Sequence, residues 1–187
     1  SRLERTEMKI IAVVGLAGSG KSEVSKVFEE SGFTRIRFGD LTDEGLRRQG
    51  LERNERNERY IRESLRKEHG MAAYAKLSVE KIDRALESSH VVVDGLYSWE
   101  EYTFLKSRYG DNLCVVAVWA SPWTRYRRLA ARPERPLTPE EAASRDAAEI
   151  EKVNKAGPIA MADITIINES SLEDLRRETE RVIAQLK

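Results

Sequence analysis

Short apolar stretches of strand length alternate along the chain with longer, charged segments. Four of these stretches are rich in β-branched residues and show no polar alternation: residues 9–14, 90–93, 113–119 and 164–167. A fifth, residues 34–38, alternates between polar and apolar side chains. Strands without polar alternation are typical of parallel sheets that are buried on both faces. Because helix-periodic segments separate the strands, the pattern predicts an α/β fold built on a parallel sheet.

Capping sequences mark where several helices begin. Residues 98–101 (Ser-Trp-Glu-Glu) and 138–141 (Thr-Pro-Glu-Glu) both have the capping-box pattern, in which a hydroxyl and a later glutamate satisfy amides of the first turn. Ser121 and Ser170 stand at the start of two further helix-periodic segments. These signals predict a helix after the third strand, two after the fourth, and one that ends the chain.

Two segments are too polar to belong to the core. The span 51–69 is almost entirely charged and contains a short Glu-Arg-Asn repeat. It is either a solvated helix, supported by Glu and Arg pairs four residues apart, or a mobile helical flap whose arginines face an anionic ligand. Residues 131–139 contain three prolines and are predicted to form a loop.

The charge composition limits the possible partners. The 187 residues include 32 Lys and Arg and 32 Asp and Glu, so the formal net charge is zero. That balance excludes a globally basic nucleic-acid binder, and no apolar run reaches the ~20 residues of a membrane helix. A chain of this length is expected to form a single domain. Its one cysteine, Cys114, favours a reducing, cytoplasmic location.

A phosphate-binding loop is the strongest functional signal. The stretch from Gly15 to Ser22 (GLAGSGKS) matches the pattern G-x-x-x-x-G-K-[ST] and lies between a predicted strand and a predicted helix. Glycines let the backbone curl so that its amides point at phosphate oxygens, at the positive end of the helix dipole. We expect Lys21 to bridge the terminal phosphates and the Ser22 hydroxyl to ligate Mg²⁺. The predicted nucleotide-binding residues in this loop are Gly15, Ala17, Gly18, Ser19, Gly20, Lys21 and Ser22.

An acidic residue ends the third predicted strand. Residues 90–95 read His-Val-Val-Val-Asp-Gly, which places Asp94 at the carboxyl end of a buried strand. In open α/β sheets ligands gather at that edge, so Asp94 is a candidate carboxylate for Mg²⁺. The alternative is an ordinary Asp-Gly turn.

Arginines crowd the region that follows the fourth strand. Arg125, Arg128 and Arg132 would share one face of a helix that begins at Pro122, and Arg135 follows in the proline-rich loop. They form either a solvated basic stripe or a clamp for a phosphoryl group, whose developing charge guanidinium groups stabilise. A charged, proline-rich loop between helices is typical of a lid that closes over a site.

With these motifs placed, the sequence resembles the nucleoside monophosphate kinase-like branch of the P-loop kinases, which includes adenylate, cytidylate and dephospho-CoA kinases. Within that branch it most resembles a mostly archaeal adenylate kinase-related family. The likeness extends from the phosphate-binding loop to the last strand. The more specific blocks are residues 120–125 (Ala-Ser-Pro-Trp-Thr-Arg), 145–146 (Arg-Asp) and 162–168 (Ala-Asp-Ile-Thr-Ile-Ile-Asn).

The resemblance implies a three-layer P-loop NTPase fold with a five-stranded parallel sheet and helices on both faces. It implies one kinase domain with a core near 8–39, 76–130 and 143–187, a helical acceptor-binding insertion near 40–75, and a short lid near 131–142. Lys21, Arg125, Arg128 and Arg132 would be the catalytic cations, and Asn168 would lie where such kinases hold the donor base.

Two departures concern the acceptor. Thr42 and Asp43 occupy the stretch in which adenylate kinases carry an arginine for the acceptor phosphate. Leu96 and Tyr97 follow Asp94-Gly95, where the relatives place an arginine. Both differences indicate an acceptor site unlike that of an ordinary nucleoside monophosphate kinase. The residues expected to contact the acceptor are Asp40, Arg47, Arg62, Asp94 and Tyr97.

The sequence therefore indicates a Mg²⁺- and ATP-dependent kinase that transfers the γ-phosphoryl group to a small nucleotide-like acceptor, of nucleoside monophosphate or dephospho-CoA type. The alternative is a nucleotide-binding regulatory NTPase that relays a conformational change to a protein partner. Such a regulator needs the phosphate-binding loop but not several arginines in a lid. An RNA-binding protein is disfavoured by the zero net charge.

Overall fold

The computed structural model describes residues 7–186. Its strands are β1 (Ile10–Val14), β2 (Thr34–Arg37), β3 (Val91–Asp94), β4 (Leu113–Trp119) and β5 (Ile164–Ile167). Its helices are α1 (Lys21–Glu30), α2 (Asp40–Gln49), α3 (Glu55–His69), α4 (Ala73–Leu86), α5 (Trp99–Tyr109), α6 (Pro122–Ala131), α7 (Pro139–Glu151), α8 (Ala156–Ala160) and α9 (Leu172–Leu186).

The strands form one five-stranded parallel sheet in the order β2-β3-β1-β4-β5. In the register, Ile10 of the central strand lies opposite Val91 on one side and Leu113 on the other. β2 and β3 lie on one side of β1, and β4 and β5 lie on the other. The loop after β1 therefore lies at the middle of the carboxyl edge of the sheet. This is the position at which open α/β sheets bind ligands.

The central strand β1 is buried on both faces, as its uninterrupted apolar sequence predicted. Ile10, Ala12 and Val14 belong to one core cluster, and Ile11 and Val13 belong to a second cluster on the opposite face. Side chains of a strand alternate between faces, so a strand covered on both sides needs apolar residues at every position. The predicted three-layer α/β fold is confirmed.

The helix caps follow the predicted signals with one shift. Thr138 and Glu141 form the complete capping box of α7, and the Ser98 hydroxyl accepts from the Glu101 amide at 3.1 Å. The last helix, however, is capped by Ser171, whose hydroxyl accepts from the Asp174 amide at 3.1 Å, rather than by the preceding serine.

The charged span is a helix that begins later than its composition suggests. α3 starts at Glu55, where the Asn54 side chain caps it by accepting from the Asn57 amide at 2.8 Å. Ile61 is the buried residue of α3 and packs against Gly45 of α2. A Cβ on Gly45 would lie 2.7 Å from the Ile61 side chain. Within the part of the chain that the structure describes, no helix is long and apolar enough to cross a membrane.

Candidate active site

The loop between β1 and α1 has the backbone geometry of an anion-binding turn. Gly18 and Gly20 adopt φ of 81° and 107°, a region that side chains rarely tolerate. A Cβ on Gly20 would lie 2.5 Å from the Asn168 amide nitrogen, and one on Gly18 would lie 2.9 Å from the Arg125 carbonyl oxygen. Glycine is therefore required at both positions, because the loop is held tightly from behind.

Arg125 is part of that support. Its side chain is 3% exposed, and it donates two hydrogen bonds of 2.8 Å to the Asp146 carboxylate. It also donates to the carbonyl oxygens of Ala17, in the loop, and Ala120, at the end of β4. With its donors used in this way, Arg125 holds the loop in place from behind. This corrects the expectation that it contacts the transferred phosphoryl group.

Arg128 and Asn168 hold the loop from the side of β5. Arg128 donates to the Gly18 carbonyl at 3.4 Å and to the Asn168 carbonyl at 2.7 Å, and the Asn168 amide donates to the Ser19 carbonyl at 2.8 Å. Ser19 itself is 1% exposed. The structure thus places Arg128 and Asn168 against the loop, and a contact of either with a donor base stays a prediction.

Lys21 is half-buried on the wall of a cavity, where its charge is poorly compensated. Its ammonium donates to the Leu16 carbonyl at 3.2 Å. Burial, followed by the nearby Lys155 ammonium, lowers the pKa of Lys21 to about 7, although Glu149 acts in the opposite direction. A lysine with so low a pKa is a strong candidate for binding a polyanion, because negative charge would restore its proton.

A cavity of about 920 Å³ opens in front of the loop. One end is formed by loop and α1 residues, including Gly20, Lys21 and Ser22, and the other by residues of β2, β3, α2 and α3. The predicted site residues on its wall are Ala17, Gly18, Gly20, Lys21, Ser22, Asp40, Arg62, Asp94, Tyr97 and Arg132. Arg47 is exposed in the last turn of α2 and is not part of this wall, so its predicted contact with the acceptor has no support in the structure.

The far end of the cavity has an aromatic floor. The Tyr74 and Tyr97 rings meet edge to face with centroids 6.2 Å apart, and the Tyr74 hydroxyl is 2.7 Å from that of Thr42. Beside them, Arg35 donates to Asp94 at 2.6 Å. Burial raises the pKa of Tyr97 to about 12, so its hydroxyl stays protonated and available as a donor.

Cations gather on the opposite wall. Arg132 follows the last turn of α6, donates to the Arg135 carbonyl at 2.8 Å and faces the cavity with Arg145 of α7. Burial and then these two arginines lower the pKa of Arg132, which indicates a local excess of positive charge. Arg135 reaches Glu58 of α3 at 3.6 Å, so the proline-rich loop touches the charged helix across the cavity.

Arg145, Lys155 and Arg35 are among the residues of this wall that were not predicted as site residues. Lys155 and Arg145 come from α7 and the turn after it, and Arg35 comes from the edge strand β2. The Arg-Asp pair at 145–146 was part of the family resemblance, which is the one signal that could have identified Arg145. Lys155 had no such signal, because only the tertiary fold brings it beside Lys21.

The donor set is compatible with Mg²⁺ beside a bound phosphate. The Ser22 side chain is exposed at the cavity wall in the first turn of α1, and Asp94 lies on the same wall. The ion pair with Arg35 uses Oδ2 of Asp94. A hydroxyl and a carboxylate are hard oxygen ligands of the kind that Mg²⁺ takes, with phosphate oxygens and waters completing the shell.

The structure is that of a P-loop protein with a kinase-like fold. Three features define it: the order of the strands, the glycine-rich loop with Lys21 at the carboxyl end of β1, and the adjoining cationic wall. Solved structures share that fold. TT1252 from Thermus thermophilus has a TM-score of 0.67 at 23% identity, covering 97% of this chain and 100% of that one. Shikimate kinase from Bacteroides thetaiotaomicron (TM-score 0.60, 16% identity, coverage 95% and 99%) and dephospho-CoA kinase from Campylobacter jejuni (TM-score 0.56, 15% identity, coverage 97% and 99%) are also similar.

The chain belongs to the UPF0200 family. UPF0200 protein TK1334 of Thermococcus kodakarensis is 38% identical over 181 residues, which cover 95% of this chain and 97% of the relative. The UPF0200 protein of Hyperthermus butylicus is 36% identical over 179 residues, covering 95% and 94%. A family model described as an AAA domain matches residues 11–152.

Proposed function

We propose that the chain is a Mg²⁺- and ATP-dependent phosphotransferase that moves the γ-phosphoryl group to a small, nucleotide-like acceptor. The observation that carries the proposal is the continuity of the cavity, which joins Lys21 at one end to Asp40, Arg62 and Tyr97 at the other. Its volume of about 920 Å³ is at the upper end of the roughly 300–1,000 Å³ typical of sites for one drug-sized ligand. The cavity therefore has room for the triphosphate of a donor and for part of an acceptor.

The donor end binds phosphate through the loop amides and Lys21. Arg125, Arg128 and Asn168 keep those amides in a fixed arrangement, so little reorganisation is needed when phosphate binds. Ser22 and Asp94 would hold Mg²⁺, which neutralises charge on the phosphate oxygens when it is bound.

We assign residues 131–142 as the lid and residues 40–75 as the acceptor-binding region. Arg132 and Arg135 lie in the lid, and the contact of Arg135 with Glu58 connects the two regions across the cavity. Closing of the lid over bound substrates would exclude water and bring both guanidinium groups towards the transferring group.

Asp40 bears on the chemistry of the acceptor. It lies on the cavity wall in the first turn of α2, and within residues 7–186 its carboxylate has no hydrogen-bond or ion-pair partner. An acceptor hydroxyl must lose a proton when its oxygen bonds to phosphorus, and a free carboxylate beside it can take that proton. An acceptor phosphate needs no such base and would be repelled by the same charge.

The test is incubation of the purified protein with γ-labelled ATP and Mg²⁺ and a panel of nucleoside monophosphates, nucleosides and dephospho-CoA. We expect label in one class of acceptor, and none with Lys21→Met. Lys152→Met is the matched control, because Lys152 is exposed and is not part of the cavity wall.

Nucleotide binding without label in any acceptor would contradict the proposal and favour the regulatory NTPase. A bisubstrate analogue, in which a donor and an acceptor nucleotide are joined through phosphates, separates the two further. A kinase binds it more tightly than either half, whereas a regulator with one nucleotide site does not.

A further inference from the structure

Lys155 is a buried lysine at the functional cavity to which the sequence assigned no role. Its side chain is only 4% exposed although it follows α7 in a turn, and it forms part of the cavity wall. The ammonium donates to Oε2 of Glu149 at 3.2 Å and lies 5.6 Å from the centre of the Tyr97 ring. It is thus fixed between a carboxylate and the aromatic floor of the acceptor end.

The turn that carries Lys155 is clamped against α5. The Trp99 amide donates to the Asn154 carbonyl at 3.0 Å, and the Asn154 side chain donates to Glu100 at 2.9 Å. On the other side of Lys155, a Cβ on Gly157 would lie 2.5 Å from the Trp99 ring. Asn154 adopts φ of 58°, a conformation that most residues avoid. Lys155 is therefore held in one position from both sides.

That position is electrostatically unfavourable in the absence of an anion. Lys155 and Lys21 both form part of the same cavity wall, so their positive charges face one enclosed space. Burial also lowers the pKa of Lys155, which Glu149 only partly counteracts, and Arg145 adds a third positive charge. An ion pair that served the fold alone would not need to share a cavity wall with the phosphate-binding lysine.

On the premise of the proposed function, we propose that Lys155 is a second phosphate-binding lysine, which contacts the γ-phosphoryl group from the acceptor side of Lys21. Glu149 is its positioning residue. In the transfer step the acceptor oxygen forms a bond to the γ-phosphorus, and an acceptor hydroxyl passes its proton to Asp40. The bond from that phosphorus to the β–γ bridging oxygen breaks, and nucleoside diphosphate leaves. Lys155 keeps its proton throughout and stabilises the charge on the equatorial oxygens.

The test compares two nucleotides that differ by one phosphate. Calorimetric titration with Mg²⁺-ADP and with a non-hydrolysable β,γ-imido analogue of Mg²⁺-ATP gives the preference for the γ-phosphate. Lys155→Met removes a charge-assisted hydrogen bond to the γ-phosphate. It should therefore weaken binding of the analogue about tenfold or more and weaken binding of ADP much less. Lys155→Arg should keep much of the preference, and Lys152→Met should keep all of it.

Lys155→Met also removes one of the two cationic partners that the half-buried Glu149 has within residues 7–186 and leaves only Arg145, and the loss of this buried pairing destabilises the fold. The double variant Lys155→Met/Glu149→Gln removes both charges, and its thermal unfolding is compared with that of the native protein. The inference is overturned if a folded variant retains the native preference for the analogue, or if its affinity for both nucleotides falls by the same factor. If the native protein binds neither nucleotide, the proposed function fails and the inference fails with it.

Discussion

Nucleotide binding is expected to be accompanied by proton uptake at Lys21. With a pKa of about 7, this ammonium is about one tenth protonated at pH 8 and about nine tenths protonated at pH 6. A bound polyphosphate favours the charged form and raises the pKa of Lys21 well above 8. The protein should therefore take up about 0.9 proton per site from Lys21 at pH 8 and only about 0.1 at pH 6.

The assay is calorimetric titration of Mg²⁺-ADP at pH 8 in two buffers that differ in their enthalpy of ionisation. At that pH the terminal phosphate, whose pKa is near 6, is almost fully ionised and contributes little to the uptake. Lys21→Met removes the titrating group and should abolish most of the uptake. Lys155→Met removes a repelling charge, so it should raise the pKa of Lys21 and reduce the uptake at pH 8.

Two results would refute this reasoning. One is an uptake below about 0.2 proton at pH 8 in the native protein, which would mean that Lys21 is already protonated in the free state. The other is an unchanged uptake in Lys21→Met, which would assign the proton to another of the charged groups around it. The candidate is Lys155, whose pKa is also lowered by burial.

Three further perturbations test other parts of the structure. Arg125→Met leaves the Asp146 carboxylate buried without its ion-pair partner, which should lower the free energy of unfolding by about 3–5 kcal/mol in urea. A decrease below about 1 kcal/mol would show that the pair does not support the loop. Asp40→Asn should slow transfer to a hydroxyl acceptor by about 100-fold or more. Transfer to a phosphate acceptor should not slow, because the variant removes a repelling charge, and a coupled ADP assay measures both rates. Burial raises the pKa of Glu101 from 4.5 to about 8. Between pH 4.5 and pH 8, Glu101 is therefore protonated in the folded protein but ionised in the unfolded chain. The free energy of unfolding should fall as pH rises through this range. Glu101→Gln should remove that fall in thermal unfolding scans, and an unchanged slope would contradict the assignment.

The parts of the molecule that sequence predicted best depend on neighbours in the chain. The phosphate-binding loop is a contiguous pattern, and its glycines at 18 and 20 adopt the conformations that only glycine takes easily. The caps at Ser98 and Thr138 likewise depend on residues three positions apart. β1 and β3 were predicted because these strands are buried almost throughout and therefore contain almost no polar residue, whereas the edge strand β2 was predicted from its alternation.

The arginines after β4 show where such reasoning stops. A helical repeat treats Arg125, Arg128 and Arg132 as equivalent, yet each has a different environment. Arg125 turns inwards because Asp146, distant in sequence, lies against it on α7. α6 ends at Ala131, so Arg132 leaves the helix and faces the cavity instead of continuing the stripe. Their roles depend on partners that no local pattern contains.

The zero net charge of the chain conceals the same kind of organisation. Ten basic and five acidic side chains form the cavity wall, although the whole chain has equal numbers of each. The balancing acids therefore lie elsewhere, which gives the molecule a positive cleft on an otherwise more acidic surface. A cleft of one sign attracts ligands of the opposite sign. An anionic substrate is therefore steered to Lys21 by a field that the overall composition does not reveal.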